Sequence, residues 1–174
     1  MSYKEIIDHY EKCFDKFGDT PKGVDWTKED QVDKRYQVMI ELINFYEKSF
    51  NLSKEVSLLD YGCGLSHLNN YILKKNLNHI EYTGLEISEK FFSESKKKYP
   101  KNEYIYVDIL KDENILSINY DYIILNGVFT EKRSLTHKYM FEYLKKMITL
   151  IYSKSNKGIA FNVMSKQVDW EVDT

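Results

Sequence analysis

From residue 55 onward the chain alternates short apolar runs with segments of helical periodicity, and few architectures accept that alternation. The runs are VSLLDY (56–61), IEYTGLEI (80–87), EYIYVDI (103–109), YDYIILNG (120–127) and GIAFNVM (158–164). Unbroken apolar runs of this length suit strands buried on both faces. Between them the spacing predicts helices over 66–76, 89–98 and 134–152. Strands alternating with helices form a parallel sheet, and right-handed crossovers spread the helices over both faces. The expected fold class is therefore α/β, a three-layer sandwich around a mostly parallel sheet.

The first part of the chain reads differently. Ile6, Ile7, Tyr10, Phe14 and Phe17 predict a helix over 3–17, and GDTPKGVDW (18–26) breaks it. Val32, Tyr36, Met39, Ile40, Ile43 and Tyr46 share one face of a second helix over 30–49. The organisation expected is an N-terminal helical cap, 1–54, on a core, 55–174. A chain of 174 residues is long enough for one real hydrophobic core.

Charge and cysteine usage narrow the partners. The formal net charge is −2, whereas a dedicated nucleic-acid binder needs a basic surface to neutralise phosphates. SKKKYPK (95–101) reads as a solvated helix end. No run approaches the ~20 apolar residues that span a bilayer, and the charged start MSYKEIIDHYEKCF has no signal-peptide core. Cys13 and Cys63 are too few for a disulfide framework and suit a reducing cytoplasm. His9, His67, His79 and His137 are scattered with no pair at metal-ligand spacing, so no metal site is expected.

In such sheets ligands bind beyond the carboxyl ends of the strands, near the switch in strand order. Polar groups stand at that end of four successive strands: Asp60-Tyr61-Gly62-Cys63-Gly64, then Glu86, then Asp108, then Asn126-Gly127. Gly62 permits a tight turn, and Gly64 lets a ligand approach the main chain without a Cβ in the way. Ser66 stands where the N-cap of the next helix belongs. Glu86 lies 22 residues beyond Gly64 (86 − 64), a spacing at which an acid accepts hydrogen bonds from a ribose. Asp108 suits either an exocyclic amine such as that of adenine or a helix N-cap. Asn126 can donate and accept near the centre of the cleft. On the residues alone, the two glycines also suit a plain strand–helix turn, and Glu86 a solvated loop acid.

Two cofactor classes use a ribose-binding acid on this scaffold: dinucleotides and S-adenosylmethionine. The dinucleotide fingerprint G-x-G-x-x-G puts its third glycine at His67, counting from Gly62. Asp60, two residues before the first glycine, opposes an anionic pyrophosphate and favours a cationic sulfonium with its ammonium group.

In these motifs, over roughly residues 55–164, the chain resembles a class I S-adenosylmethionine-dependent methyltransferase. LLDYGCGLS is similar to the family's first motif, E/D-x-G-x-G-x-G, with Ser66 in place of the last glycine. YTGLEIS resembles the second, whose acid, here Glu86 with Ile87 after it, holds the ribose. YVDIL resembles the third, whose acid and next residue, Asp108 and Ile109, bracket adenine. ILNGVF occupies the fourth, which brings Asn126 and Gly127 beside the methyl-transfer centre. The resemblance implies a Rossmann-like sandwich, S-adenosylmethionine as cofactor and S-adenosylhomocysteine as product, with Asp60, Gly62 and Gly64 also at the cofactor. It implies N-terminal helices that close over the site, where Arg35 is a candidate to grip the methionine carboxylate in bidentate fashion. The alternative for Arg35 is a surface ion pair with Asp33. GDTPKGVDW followed by RYQVM is similar to methyltransferases of bacterial surface-polysaccharide and small-molecule gene clusters.

The activity implied is methyl transfer to a small molecule or sugar, at an oxygen. NGVF differs from the N/D-P-P-Y pattern associated with amino methylation of nucleic-acid bases. An oxygen acceptor needs its proton removed, and His137 and Glu131, beyond the fourth strand, are the candidate bases. A non-catalytic S-adenosylmethionine-binding module is the alternative, and an NAD-dependent oxidoreductase, disfavoured by His67, a further one. Seven strands are usual in the resembling family. Only 10 residues follow Met164, so the C-terminal strands are expected to be missing. The fifth strand is then an edge for a second copy or a partner to cover.

Overall fold

The computed structural model describes residues 3–26, 31–49, 55–111 and 117–164. Five strands form one sheet: β1 Val56–Tyr61, β2 Ile80–Glu86, β3 Glu103–Tyr106, β4 Tyr120–Phe129 and β5 Ser155–Val163. Their order is β3-β2-β1-β4-β5, and all four pairings are parallel. The order reverses at β1, so β1 and β4 part company at their carboxyl ends and leave a crevice there. The helices are α1 Lys4–Phe17, α2 Val32–Ser49, α3 His67–Lys74, α4 Glu89–Lys98 and α5 His137–Tyr152, with a 3-10 turn at Pro21–Val24. Among the described residues no helix is long and apolar enough to cross a membrane.

The two-residue period of the strands sorts the core into two layers. Val56 and Leu58 of β1 with Tyr122 and Ile124 of β4 pack against Met39, Ile40 and Ile43 of α2 and Leu68 and Ile72 of α3. Leu59, Ile123 and Leu125 face the other way, against Met147 and Ile151 of α5. Fully burying one such side chain contributes roughly 1.5–3 kcal/mol, which is why β1 and β4 form the rigid centre. The apolar cluster runs unbroken from α2 to the sheet. Glu47, near the end of α2, accepts hydrogen bonds from the Tyr122 hydroxyl at 2.8 Å and the Lys157 ammonium at 3.0 Å. Burial works to raise its carboxyl, but these two donors outweigh burial and hold it below its ordinary range.

Boundaries differ from the sequence expectation where a single side chain decides. The helix expected from 134 starts at His137, because Thr136 Oγ1 caps it by accepting from Tyr139 N at 3.1 Å. Ser88 caps α4 in the same way, accepting from Phe91 N at 3.2 Å. Ser66 does not act as the expected cap. It sits at φ 56°, ψ 37°, and its hydroxyl pairs with Tyr104 Oη at 3.0 Å. The strand expected to reach 109 ends at Tyr106, because Asp108 turns the chain by accepting from Leu110 N at 3.2 Å. Residue 30 of the expected second helix and the segment 165–174 lie outside the described residues.

Candidate functional site

The carboxyl ends of β1, β2 and β4 and the turn after β3 open onto one cleft of about 150 Å³. Its floor is the turn after β1. Gly62 and Gly64 stand at φ 69° and 53°, left-handed backbone that favours glycine. Gly62 N and Cys63 N both donate to Leu85 O, at 2.8 and 3.0 Å, so β2 fixes the turn. A Cβ at Gly64 would meet no atom nearer than Val24 Cγ1 at 3.8 Å. The space above that residue is therefore open cradle and not packed core.

Two buried acids flank the turn. Glu86, 5% exposed, accepts from Gly64 N through Oε2 and from Ile87 N and Ser88 N through Oε1, each at 2.8 Å. Burial pushes its carboxyl up, and the three backbone donors offset only part of that. Asp60, 4% exposed, accepts from the Tyr82 hydroxyl at 2.8 Å. Burial pushes it up to about 7, the Tyr82 hydroxyl opposes the rise and the Glu86 charge adds to it. Two carboxyl groups in a dry cleft create a field that welcomes a cation.

Asp108 Oδ2 accepts from the Tyr3 hydroxyl at 2.5 Å and lies 3.3 Å from Lys111 Nζ. Burial first, and then the hydrogen bond to Asp108, raise the Tyr3 phenol well above its ordinary range. Asn126 Oδ1 is buried with no protein partner, an unusual state for a polar atom. Gly127 N donates to Asn162 Oδ1 at 2.7 Å.

The roof is α1 with the 3-10 turn, which contribute Ile6, Tyr10 and Val24, and Trp26 beyond them. Ties along its length hold it down. Tyr3 binds Asp108, and Glu11 accepts from Ser88 Oγ at 2.5 Å. Asp15 meets Lys90 at 2.8 Å, and Asp19 meets both Lys98 at 2.6 Å and His67 at 2.7 Å. Phe14 packs edge-on against Phe91.

No family model matches the chain. It is 24% identical, over 157 residues, to a malonyl-[acyl-carrier protein] O-methyltransferase of Priestia megaterium (strain DSM 319 / IMG 1521), covering 89% of this chain and 52% of that protein. Among solved structures it matches the plantazolicin methyltransferase BpumL in complex with a pentazolic desmethylPZN analog and SAH. That match has a TM-score of 0.58 and 22% identity, over 88% of this chain and 56% of that one. An S-adenosylmethionine-dependent methyltransferase from Clostridium acetobutylicum ATCC 824 matches with a TM-score of 0.52 and 18% identity, over 94% of this chain and 58% of that one. The fold is that of the class I methyltransferases. The chain spans about half the length of the curated relative it matches.

On this methyltransferase fold most of the expected site residues come together. Asp60, Gly62, Gly64, Glu86, Ile87, Asp108, Asn126 and Gly127 all border the cleft. Ile109 does not; the turn at Asp108 sends it into the core, 3% exposed, among the residues that face α5. Arg35 does not border it either. It is exposed on α2 with its guanidinium 4.9 Å from the Trp26 ring centroid, so the indole and not the cation faces the cleft. His137 is the exposed first residue of α5. Glu131 sits in the loop after β4, where it accepts from Arg133 N at 2.8 Å. Neither borders the cleft.

Tyr82 and Tyr3, whose hydroxyls donate to Asp60 and Asp108, are neighbours of the cleft acids that motif spacing alone passes over. For Tyr82 a signal exists: in the parallel register Leu58 stands beside Tyr82 and Asp60 beside Gly84, so a Tyr-x-Gly on β2 lets the phenol reach along the face toward Asp60. A Cβ at Gly84 would lie 2.7 Å from the Tyr104 ring and 2.9 Å from Cys63 Sγ. For Tyr3, 105 residues from Asp108 in sequence, no local signal exists.

Proposed function

We propose that the chain binds S-adenosylmethionine in this cleft and directs its methyl group to an oxygen of a small molecule or sugar. The observation that carries the reading is the open cradle at Gly64 flanked by the buried carboxyls of Asp60 and Glu86. The residues present fit the cofactor. Asn126 Oδ1 is a buried acceptor with no protein donor, and the Gly62–Gly64 turn exposes main chain to a ligand. When bound, the group supplies a sulfonium methyl for in-line displacement by a nucleophile. In this reading Glu86 orients the ribose hydroxyls with the lone pairs its backbone donors leave, Asp108 meets the adenine amine, and Asp60 faces the cationic end. The turn and Asn126 position, which can contribute several kcal/mol as effective molarity.

The cleft of about 150 Å³ is smaller than the roughly 300–1,000 Å³ of ordinary ligand pockets, so α1 must lift to admit a nucleoside. The Priestia relative is an O-methyltransferase, which supports an oxygen acceptor. Cytoplasmic action on a small acceptor belongs to the same reading, as does the division into a helical cap, 1–54, and a binding core, 55–174. A second copy or a partner seated on the β5 edge belongs to it too, where Phe161 and Val163 are 41% and 51% exposed. A second reading, an S-adenosylmethionine-binding module without transfer, is favoured by the position of His137 and Glu131 away from the cleft.

Calorimetric titration with S-adenosylhomocysteine and with NAD tests the cofactor. Saturable binding of the first alone is expected; binding of NAD alone overturns the reading. Release of label from methyl-labelled cofactor over a panel of hydroxyl and carboxylate acceptors separates transfer from binding.

A further inference from the structure

Away from the strand ends, three side chains of different chemistry meet between α1 and the end of the 3-10 turn. His9 Nε2 lies 2.8 Å from Asp25 Oδ2 and 3.8 Å from Cys13 Sγ. All three donor atoms fall within 4.8 Å of one another. We propose that His9, Cys13 and Asp25 form a binding site for a divalent cation of the zinc class.

Geometry, chemistry and access agree. His9 and Cys13 are four residues apart on one helix and so share a face. Asp25 reaches them from the residue that ends the 3-10 turn, held at φ 58° with its N–H bonded back to Lys22 O. Tetrahedral zinc with ordinary bond lengths keeps neighbouring nitrogen, oxygen and sulfur donors about 3.3–3.6 Å apart. The separations from His9 Nε2, 2.8 and 3.8 Å, bracket that range, and all three donors stay within 4.8 Å of one another, so side-chain rotation completes the geometry. A nitrogen–sulfur–oxygen donor set favours zinc and its neighbours over magnesium or calcium, which take oxygen alone. Asp25 is exposed while His9 and Cys13 are partly buried, so the site has a solvent side by which an ion enters. Water takes the fourth position.

Ligation breaks the Cys13 S–H bond, forms a metal–sulfur bond and releases one proton to solvent, with no change of oxidation state. Burial, and after it the Asp25 charge, push the Cys13 thiol up, and a cation placed between the donors reverses both effects. Glu131 adds to the attraction for a cation, whereas Arg133 and Lys16 oppose it. The histidine spacing hides this site, because its donors are of three residue types and Asp25 lies 16 residues from His9. An ion bound there pins α1 to the turn, and those two elements carry Ile6, Tyr10 and Val24 over the cleft. That coupling rests on the cofactor reading; the metal site itself does not.

The test is a cobalt(II) titration of the full, tag-free chain, followed by zinc competition. One equivalent per chain is expected, with a thiolate-to-cobalt charge-transfer band and one proton released per ion. Cys13→Ser abolishes the band, and Cys13→Ser and Asp25→Asn each weaken binding about 100-fold or more, beyond what loss of an outer-shell partner does. Asp25 is exposed, so Asp25→Asn keeps the test readable if Cys13→Ser fails to fold. Absence of stoichiometric binding to the wild-type chain, or affinity unchanged in Asp25→Asn, overturns the proposal. S-adenosylhomocysteine titrations with and without zinc then read the coupling. Failure of that ligand to bind sinks the cofactor reading and leaves the metal result standing.

Discussion

Asp60→Asn is the substitution whose effect follows most directly from the cleft. Burial raises the Asp60 carboxyl from an ordinary 3.8 to about 7 in the folded chain. The folded state therefore holds a proton that the unfolded state has released. For a group raised in this way, the stabilising contribution is complete below the unfolded value and is lost as pH climbs through the folded one. The loss runs at about 1.4 kcal/mol per pH unit across that interval, or about 4 kcal/mol in all. Asparagine has nothing to ionise and still accepts from the Tyr82 hydroxyl. The variant should match the parent near the acid end of the interval and exceed it by about 4 kcal/mol above the folded value. Urea unfolding of both chains at a series of pH values measures the gap, and taking the difference cancels the titrating groups that do not interact with Asp60, leaving Glu86 as the coupled one. A gap that stays constant, or that narrows as pH rises, refutes the burial argument. A cationic ligand should gain affinity with rising pH in the parent and lose that dependence in the variant.

Glu86→Gln sets an amide N–H₂ against backbone N–H donors; stability should fall by about 1–3 kcal/mol and S-adenosylhomocysteine affinity by about tenfold or more, read by calorimetry. Gly84→Ala drives a methyl into the Tyr104 ring and Cys63, and a loss of about 1–3 kcal/mol should lower the melting temperature by several degrees in a scanning measurement. Tyr122→Phe strips one donor from Glu47 and should cost about 1.5–3 kcal/mol. Because the Glu47 carboxyl is held down, its contribution is present above its ordinary value and is lost as pH falls from there through the folded one. The variant's unfolding curves should show a shallower acid limb.

Most of the layout was legible because it is local. The runs at β1 and β4 are apolar on both faces, which only a central parallel strand needs, and the Gly62, Gly64 and Glu86 spacing is fixed within one strand–helix–strand unit. Placements differ from expectation at three residues, and only at the first does a distant atom decide. Ser66 has the residue type of a cap, yet Tyr104 on another strand claims its hydroxyl. Ile109 follows the acid of a motif, yet the Asx turn at Asp108 rotates it into the core. Arg35 has the charge for a carboxylate grip, but the face of α2 it occupies is set by the apolar stripe of Tyr36, Met39, Ile40 and Ile43. The Tyr3–Asp108 contact joins opposite parts of the chain, and nothing near either residue announces it.

The roof has a kinetic consequence. The polar ties from Asp15 and Asp19 are exposed pairs, which hold only weakly, yet α1 covers a cleft too small for a nucleoside. Entry is then gated by helix opening, and the association rate should level off at high ligand concentration instead of rising in proportion. Exit passes the same gate, so the ties that slow a ligand's entry slow its release as well.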